Sequence, residues 1–274
     1  MAFEIPGNIL VAGAGNMGGA LITGFLQRGI APRSILVQDP SPPPAISDLL
    51  AQHSVEHHAS ISTLPEAPAV ILVAVKPQIM EEAFPPLAKL AGPSTVVLSV
   101  AAGRTIASFE RHLSPGAAVI RSIPNTPAAI GRGITVAVAN RHVTSKQRQI
   151  AESLLSAVGE VAFVEDEALI DPVTAVSGSG PAYVFLLAEC LAEAGVKAGL
   201  APDLAARLAR ATVAGAGELM RRSPLPPDQL RRNVTSPNGT TAAALGILMG
   251  TPGLSDLMTR AVAAATRRGQ ELAR

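Results

Sequence analysis

The chain has 274 residues, 48% hydrophobic and 16% charged, with 22 basic side chains against 21 acidic ones. That balance, with 3% aromatics and no Trp, argues against a basic nucleic-acid surface or a base-stacking platform. The 24 Gly and 23 Pro follow no period, which excludes collagen-like and low-complexity chains.

The single cysteine, Cys190, can form neither an internal disulfide nor a cysteine zinc cage, and suits a reducing compartment. Apolar runs such as 69–75 fall short of the ~18 residues of a spanning helix. The first basic residue, Arg28, comes after an apolar stretch rather than before it, unlike a signal peptide. A cytoplasmic protein with no membrane or nucleic-acid partner is expected. Its apolar excess then calls for burial at a subunit interface.

Short Val- and Ile-rich runs at 8–14, 34–39, 69–75, 95–100, 117–123, 133–139 and 160–164 read as strands. Helical patterns at 17–28, 78–90 and 145–158 fall between some of them. Strand, helix and strand in succession predict a Rossmann-type, doubly wound, mostly parallel sheet over residues 1–165. Beyond that only helices are expected, at 181–197, 202–222, 239–249 and 252–273, three of them opening on Pro. Residues 166–274 therefore read as an all-α domain. Helix 181–197 is apolar around most of its circumference, broken by a polar stripe of Glu189, Glu193 and Lys197. Four helices offer little depth to bury it, so packing against a second copy is expected, with a central helix of the monomer as the alternative.

Gly13-Ala14-Gly15-Asn16-Met17-Gly18 follows the first strand and opens the first helix. Gly13 permits the tight turn, Gly15 lets a pyrophosphate approach the backbone, and Gly18 lets helix and sheet pack closely. Free N–H groups at the helix start would face the phosphates. Asp39 ends the second strand, where an acid accepts the ribose hydroxyls of NAD and repels a 2′-phosphate. Asp39-Pro40-Ser41-Pro42 is also a good turn, in which Asp39 bonds its own backbone. No Arg follows it, a slight lean toward NADH. Asp39 and Ser41 are both candidates for the cofactor site. Lys76, in Val75-Lys76-Pro77, and the small residues Ala101-Ala102-Gly103 close later strands, at the ends that line the ligand crevice of such sheets.

Pro124-Asn125-Thr126-Pro127 reads first as a rigid turn. Two small-residue loops lead into helices of the second domain: Ser177-Gly178-Ser179-Gly180-Pro181 and Ser236-Pro237-Asn238-Gly239-Thr240-Thr241. The second offers three hydroxyls and several amides, more than an N-cap requires, and suits a carboxylate. His53, His57 and His58 near Glu56 lack metal-ligand spacing and read as a solvated edge; no metal is expected.

In this order the motifs resemble the pyrroline-5-carboxylate reductase family along essentially the whole chain, including Ala74-Val75-Lys76-Pro77 and Val234-Thr235-Ser236-Pro237-Asn238-Gly239-Thr240-Thr241. The resemblance implies reduction of the cyclic imine 1-pyrroline-5-carboxylate to L-proline by NADPH or NADH. It implies a homodimer through the helical domain, with dimers assembling into decamers. The cofactor would meet Ala12 through Met17, Val75 to Pro77, Ala101, Ala102 and Asn233. Ser236 and the amides of Gly239 and Thr240 would hold the substrate carboxylate, and the Thr241 hydroxyl would bond the ring nitrogen. The two sets are expected from different subunits. Asn238, Met249 and Asp39 depart from the usual pattern, at a second Gly, an acid or amide, and a phosphate-compatible residue. A hydroxyacid dehydrogenase would need a catalytic Lys in the second domain, and Lys197, at a helix end, is the only Lys there. A non-catalytic nucleotide sensor would not need the 236–241 loop.

Overall fold

The computed structural model describes residues 5–272. They fall into two compact units, one up to Gly178 together with the residues from Thr266, the other Ser179–Ala265.

The first unit is built on β1 (Ile9–Ala12), β2 (Ile35–Gln38), β3 (Glu56–His58), β4 (Val70–Val73), β5 (Val96–Ser99), β6 (Ala118–Ile123), β7 (Gly133–Ala139) and β8 (Gly159–Phe163). Every residue of β1, β4, β5 and β6 is buried, as expected for strands covered on both faces. The order across the sheet is β3-β2-β1-β4-β5-β6-β7-β8, with Ile9 of β1 in register with both Ile35 and Val70. All neighbours run parallel except β6 and β7, and β8 then runs parallel to β7.

Alternate residues feed two cores. Ile9 and Val11 join Leu21, Phe25, Ile150 and Leu154 on one face, while Leu10 and Ala12 join Ile71, Phe84 and Phe109 on the other. Helices α1 (Asn16–Gln27), α2 (Pro44–Gln52), α3 (Met80–Ala88), α4 (Ile106–Glu110) and α5 (Ser145–Leu155) connect the strands. The Thr144 hydroxyl accepts the Gln147 N–H at 3.2 Å while Gln147 Oε1 accepts the Thr144 N–H at 2.9 Å, a capping box that starts α5.

Strand β3 was not anticipated. Its Glu-His-His sequence is exposed and polar, and it forms only because β2 presents a free edge, pairing Leu36 with Glu56 and Gln38 with His58.

After β8 the chain is helical: α6 (Ile170–Val173), a π-helical turn (Thr174–Gly178), α7 (Gly180–Lys197), α8 (Pro202–Arg222), α9 (Pro227–Asn233), α10 (Thr240–Leu248) and α11 (Leu254–Leu272). Three expectations are corrected here. Residues 177–180 are not a loop, because small side chains let the π turn run on into α7, with the Thr174 hydroxyl donating to the Ile170 carbonyl at 2.7 Å. Helix α9 was not foreseen, since its seven residues carry one apolar side chain, Leu230. Pro252 stands before α11, which opens at Leu254.

In the second unit Ala205 approaches α7 closely, since a Cβ on Gly195 would lie 3.3 Å from the Ala205 Cβ. Yet α7 has no buried residue at all, and Phe185 is 67% exposed. The helix is therefore not the buried centre of a monomer. The helical run Glu167–Lys197 is long and apolar enough, by length and composition, to cross a membrane, with 6% of its apolar window buried.

Candidate functional site

The sheet order reverses at β1, with β2 and β3 on one side and β4 onward on the other. In doubly wound sheets that reversal opens a crevice at the carboxyl ends of the strands. The Gly13–Gly18 turn stands there. Gly13 has φ +93°, and a Cβ on it would lie 2.7 Å from the Ala74 carbonyl oxygen; one on Gly18 would lie 2.0 Å from that of Gly13. Gly15 has open space where a Cβ would stand. So Gly13 and Gly18 are required by backbone packing, and Gly15 leaves a vacant approach to the start of α1.

Helix α1 has Gly15 as N-cap, no side-chain cap bond and no acid in its first turn. Its leading amides are left to an anion, and the residues present fit a dinucleotide pyrophosphate. Asn16 is exposed and Met17 half-buried at the mouth of a cleft of about 690 Å³ that runs past Pro43, Ile46 and Thr126. Beside the turn, the Gly13 N–H donates to the Gln38 carbonyl at 2.8 Å and the Ala14 N–H to Asp39 Oδ2 at 2.6 Å. Asp39 Oδ1 accepts the Ser41 N–H at 2.8 Å, so both readings of this acid meet in one place.

Two further loops stand at neighbouring strand ends. Val75 and Pro77 are half-buried and Lys76 exposed; Ala101 is buried and Ala102 exposed. Arg104, which no motif signalled, ties these loops together. Its guanidinium donates to the Pro77 carbonyl at 2.6 Å and to Glu81 Oε1 at 2.5 Å. The Arg104 hydrogen bond, aided by Arg104, Arg111 and His112 charges, holds the Glu81 carboxyl below its ordinary value. A cavity of about 1010 Å³ opens along Pro77, Ala102, Gly103 and Arg104. The Ser99 hydroxyl accepts the Ala101 N–H at 3.2 Å and sets the second loop from below.

Asn125 is structural: its Oδ1 accepts the Ile134 N–H at 3.0 Å and its Nδ2 donates to the Ser177 hydroxyl at 3.4 Å. His57 bonds the Asp39 carbonyl and His58 the Glu56 carboxylate, each at 2.8 Å.

The second unit holds the other group of residues. Asn233 closes α9, its Oδ1 accepting from Gln229 at 2.7 Å. Asn238 adopts φ +59°, the left-handed backbone that Asn tolerates, so the loop keeps its turn without the second Gly. Gly239 is the N-cap of α10, with no side-chain cap bond and no acid in the first turn. The Gly239 N–H donates to the Ser236 carbonyl at 3.1 Å, and the first amides of α10, at Thr240 and Thr241, follow it. Thr241 is half-buried, while Ser236 and Thr240 are exposed. Met249 follows the last turn of α10, 59% exposed.

Comparison with known proteins places this geometry. Residues 167–272 match the family model for pyrroline-5-carboxylate reductase dimerisation, and residues 8–103 match one described as NADP oxidoreductase coenzyme F420-dependent. The pyrroline-5-carboxylate reductase of Pseudomonas aeruginosa is 41% identical over 97% of this chain and 96% of its own. The chain belongs to the pyrroline-5-carboxylate reductase family. The Synechocystis reductase is 39% identical over 96% of this chain and 97% of its own. Among solved structures, the Coxiella burnetii reductase superposes with a TM-score of 0.91 at 33% identity, covering 98% of this chain and 100% of that one. The Plasmodium falciparum enzyme, solved with NADP bound, gives 0.79 at 27% identity over 98% and 99%. The helical unit of this family member is thus a dimerisation domain, and α7 is an apolar helix that its own chain leaves uncovered. The first unit carries a dinucleotide-binding domain, its residues 8–103 matched by the NADP-named model.

Proposed function

We propose that Gly13–Gly18 and the 236–241 loop serve one reaction, the reduction of 1-pyrroline-5-carboxylate to L-proline with a reduced nicotinamide dinucleotide. The observation that carries the substrate assignment is the uncapped start of α10, ringed by Ser236, Thr240 and Thr241. Free amides and hydroxyls at a helix N-terminus suit a carboxylate.

Ala12 to Gly18 hold the pyrophosphate, and Asp39 and Ser41 stand beside the adenosine ribose. Val75, Lys76, Pro77, Ala101 and Ala102 would line the nicotinamide half, and the resemblance assigns Asn233 to the cofactor as well. When bound, the nicotinamide supplies the hydride. The Ser236 hydroxyl and the Thr240 N–H fix the substrate carboxylate, and with it the ring. A C–H bond forms at the imine carbon as the C=N π pair moves onto the nitrogen, which already carries its proton. The Thr241 hydroxyl accepts from that N–H and orients it. An iminium carbon is electrophilic in itself, so positioning is the main task of the protein. The helical domain of one subunit is proposed to serve the dinucleotide domain of its partner, with dimers assembling into decamers in the cytoplasm. A decamer would weigh ten times the 28.0 kDa chain in light scattering.

The test is loss of reduced-nicotinamide absorbance with 1-pyrroline-5-carboxylate. Rapid oxidation supports the reading, and none from a folded dimer overturns it. Thr241→Ala should lower kcat/KM on the order of a hundredfold while cofactor affinity holds. Equal losses in both would remove Thr241 from the reacting centre.

A further inference from the structure

The residues at the Gly13–Gly18 turn fit a dinucleotide, but those beside it do not fit a 2′-phosphate. Between Arg33 and Lys76 the sequence contains no Lys or Arg, whereas Asp39, Asp48, Glu56 and Glu66 are all acidic. Within it Asp39 follows β2 at the strand end where a ribose meets such a sheet, while Glu56 opens β3 and Glu66 precedes β4 at the opposite end. Arg33 precedes β2, at the opposite end of that strand, and Lys76 follows β4, across β1.

Asp39 is held at this position by the backbone. Its carboxylate is pinned on two sides, by the Ala14 N–H at 2.6 Å and the Ser41 N–H at 2.8 Å. The backbone offers no anion nest in place of a cation. Pro40, Pro42, Pro43 and Pro44 have no amide hydrogen, and Ser41 has given its own to Asp39. Ile46 and Ser47 donate to the Pro43 carbonyl at 2.9 and 3.0 Å, leaving the Ala45 N–H and the Ser41 hydroxyl. Phosphates are held by charge-assisted bonds from Arg or Lys or by several converging amides. A phosphate here would meet a fixed carboxylate instead. A ribose bearing two hydroxyls meets the lone pairs that Asp39 still has free, since a carboxylate accepts about four bonds.

We infer that Asp39 makes this protein select NADH over NADPH, although the NADP-named family model and the NADP-bound Plasmodium enzyme point the other way for its relatives. The inference rests on the reading of Gly13–Gly18 as the cofactor turn. Asp39 acts by charge at a position shaped by its own backbone bonds.

The test is a fluorescence titration of the purified protein with NADH and with NADPH. NADH is expected to bind at least about tenfold tighter, from like-charge repulsion of the phosphate. Asp39→Asn should shift the NADH-to-NADPH affinity ratio toward NADPH. A purely structural Asp39 would weaken both equally and leave the ratio where it was, which overturns the inference. Should Asp39→Asn fail to fold, Pro42→Arg adds a cation without touching the carboxylate, and should improve NADPH binding about tenfold relative to NADH. NADPH binding as tightly as NADH to the unaltered protein also overturns it, while leaving the cofactor turn in place. Binding of neither removes the turn reading and this inference together.

Discussion

The two units treat the same kind of side chain in opposite ways. In the α/β unit, β1, β4, β5 and β6 are buried along their whole length, and Leu72 and Leu98 are sealed from solvent. In the helices of the dimerisation unit only Ala205 and Ala209 are buried, while Phe185, Leu186 and Leu187 are each more than half exposed. A sheet with helices on both faces closes its own core; a few long helices have no depth and finish theirs with a second chain. Apolar periodicity says that a surface must be covered, not which molecule covers it.

The comparison is broken most severely by Phe185→Asp with Leu186→Asp. Each anchor should weaken the dimer by about 2–4 kcal/mol, and activity should fall with the dimer fraction in light scattering. Leu72→Ala is the counterpart, costing about 2–5 kcal/mol of denaturant stability while the dimer persists. A double variant that stays dimeric and active would remove the α7 face from the interface.

Next comes Arg121, a charge inside the unit that otherwise buries apolar groups. It is 3% exposed on β6, with NH1 2.9 Å from Glu167 Oε1 and NH2 4.0 Å from Asp171. Glu167 Oε1 also accepts the Ile106 N–H at 2.8 Å, and Arg121 Nε has no partner among the described residues. Arg121→Met should cost about 3–5 kcal/mol in denaturant unfolding, because it strands the carboxylates, and adding Glu167→Gln should recover part of that. An additive loss would show that the pair is not coupled.

Arg104→Met tests the brace between the loops after β4 and β5, proposed to line the nicotinamide half, with a smaller effect. The cofactor KM should rise roughly tenfold, the scale of one charge-assisted hydrogen bond, with kcat less affected and Arg104→Lys partly restoring it. An unchanged KM would make the brace incidental.

Smallest is Glu218 on α8, whose carboxyl is lowered from 4.5 to about 2 by side-chain hydrogen bonds from Arg221 and Arg222. A folded-state value below the unfolded one contributes stability that is present above pH 4.5 and lost as pH falls toward about 2. Glu218→Gln should lower Tm slightly at pH 7 and converge with the unaltered protein as pH falls toward about 2, the difference being small throughout, as suits an exposed pair. A clear drop in Tm at pH 7 would give the pair a larger part in the helical unit.

Much of the molecule was legible in the chain itself. Seven strands announced themselves as short apolar runs, and Gly13, Gly15 and Gly18 stood in the strand-to-helix setting that gives such a motif meaning. The loop Ser236–Thr241 ahead of α10 was legible as an anion site, whereas the absence of a side-chain cap on that helix shows only in the structure. Strand β3 was hidden, because Glu56, His57 and His58 carry no apolar signal and pair only where β2 leaves an edge. Arg104 and Arg121 were hidden too, since nothing local marks an arginine whose partners lie 23, 27 or 46 residues away.

What could be read from the chain alone is a dinucleotide-binding sheet followed by helices, the family, and the residues proposed to carry the chemistry. Each of these rests on periodicity or on a motif a few residues long. Only the tertiary structure decided that β7 and β8 run against the rest of the sheet, that α7 is left uncovered by its own chain, and that the Asp39 carboxylate is pinned to the Ala14 amide. These depend on where distant segments meet, and backbone amides, sheet edges and apolar faces choose their partners only once the chain has brought them together.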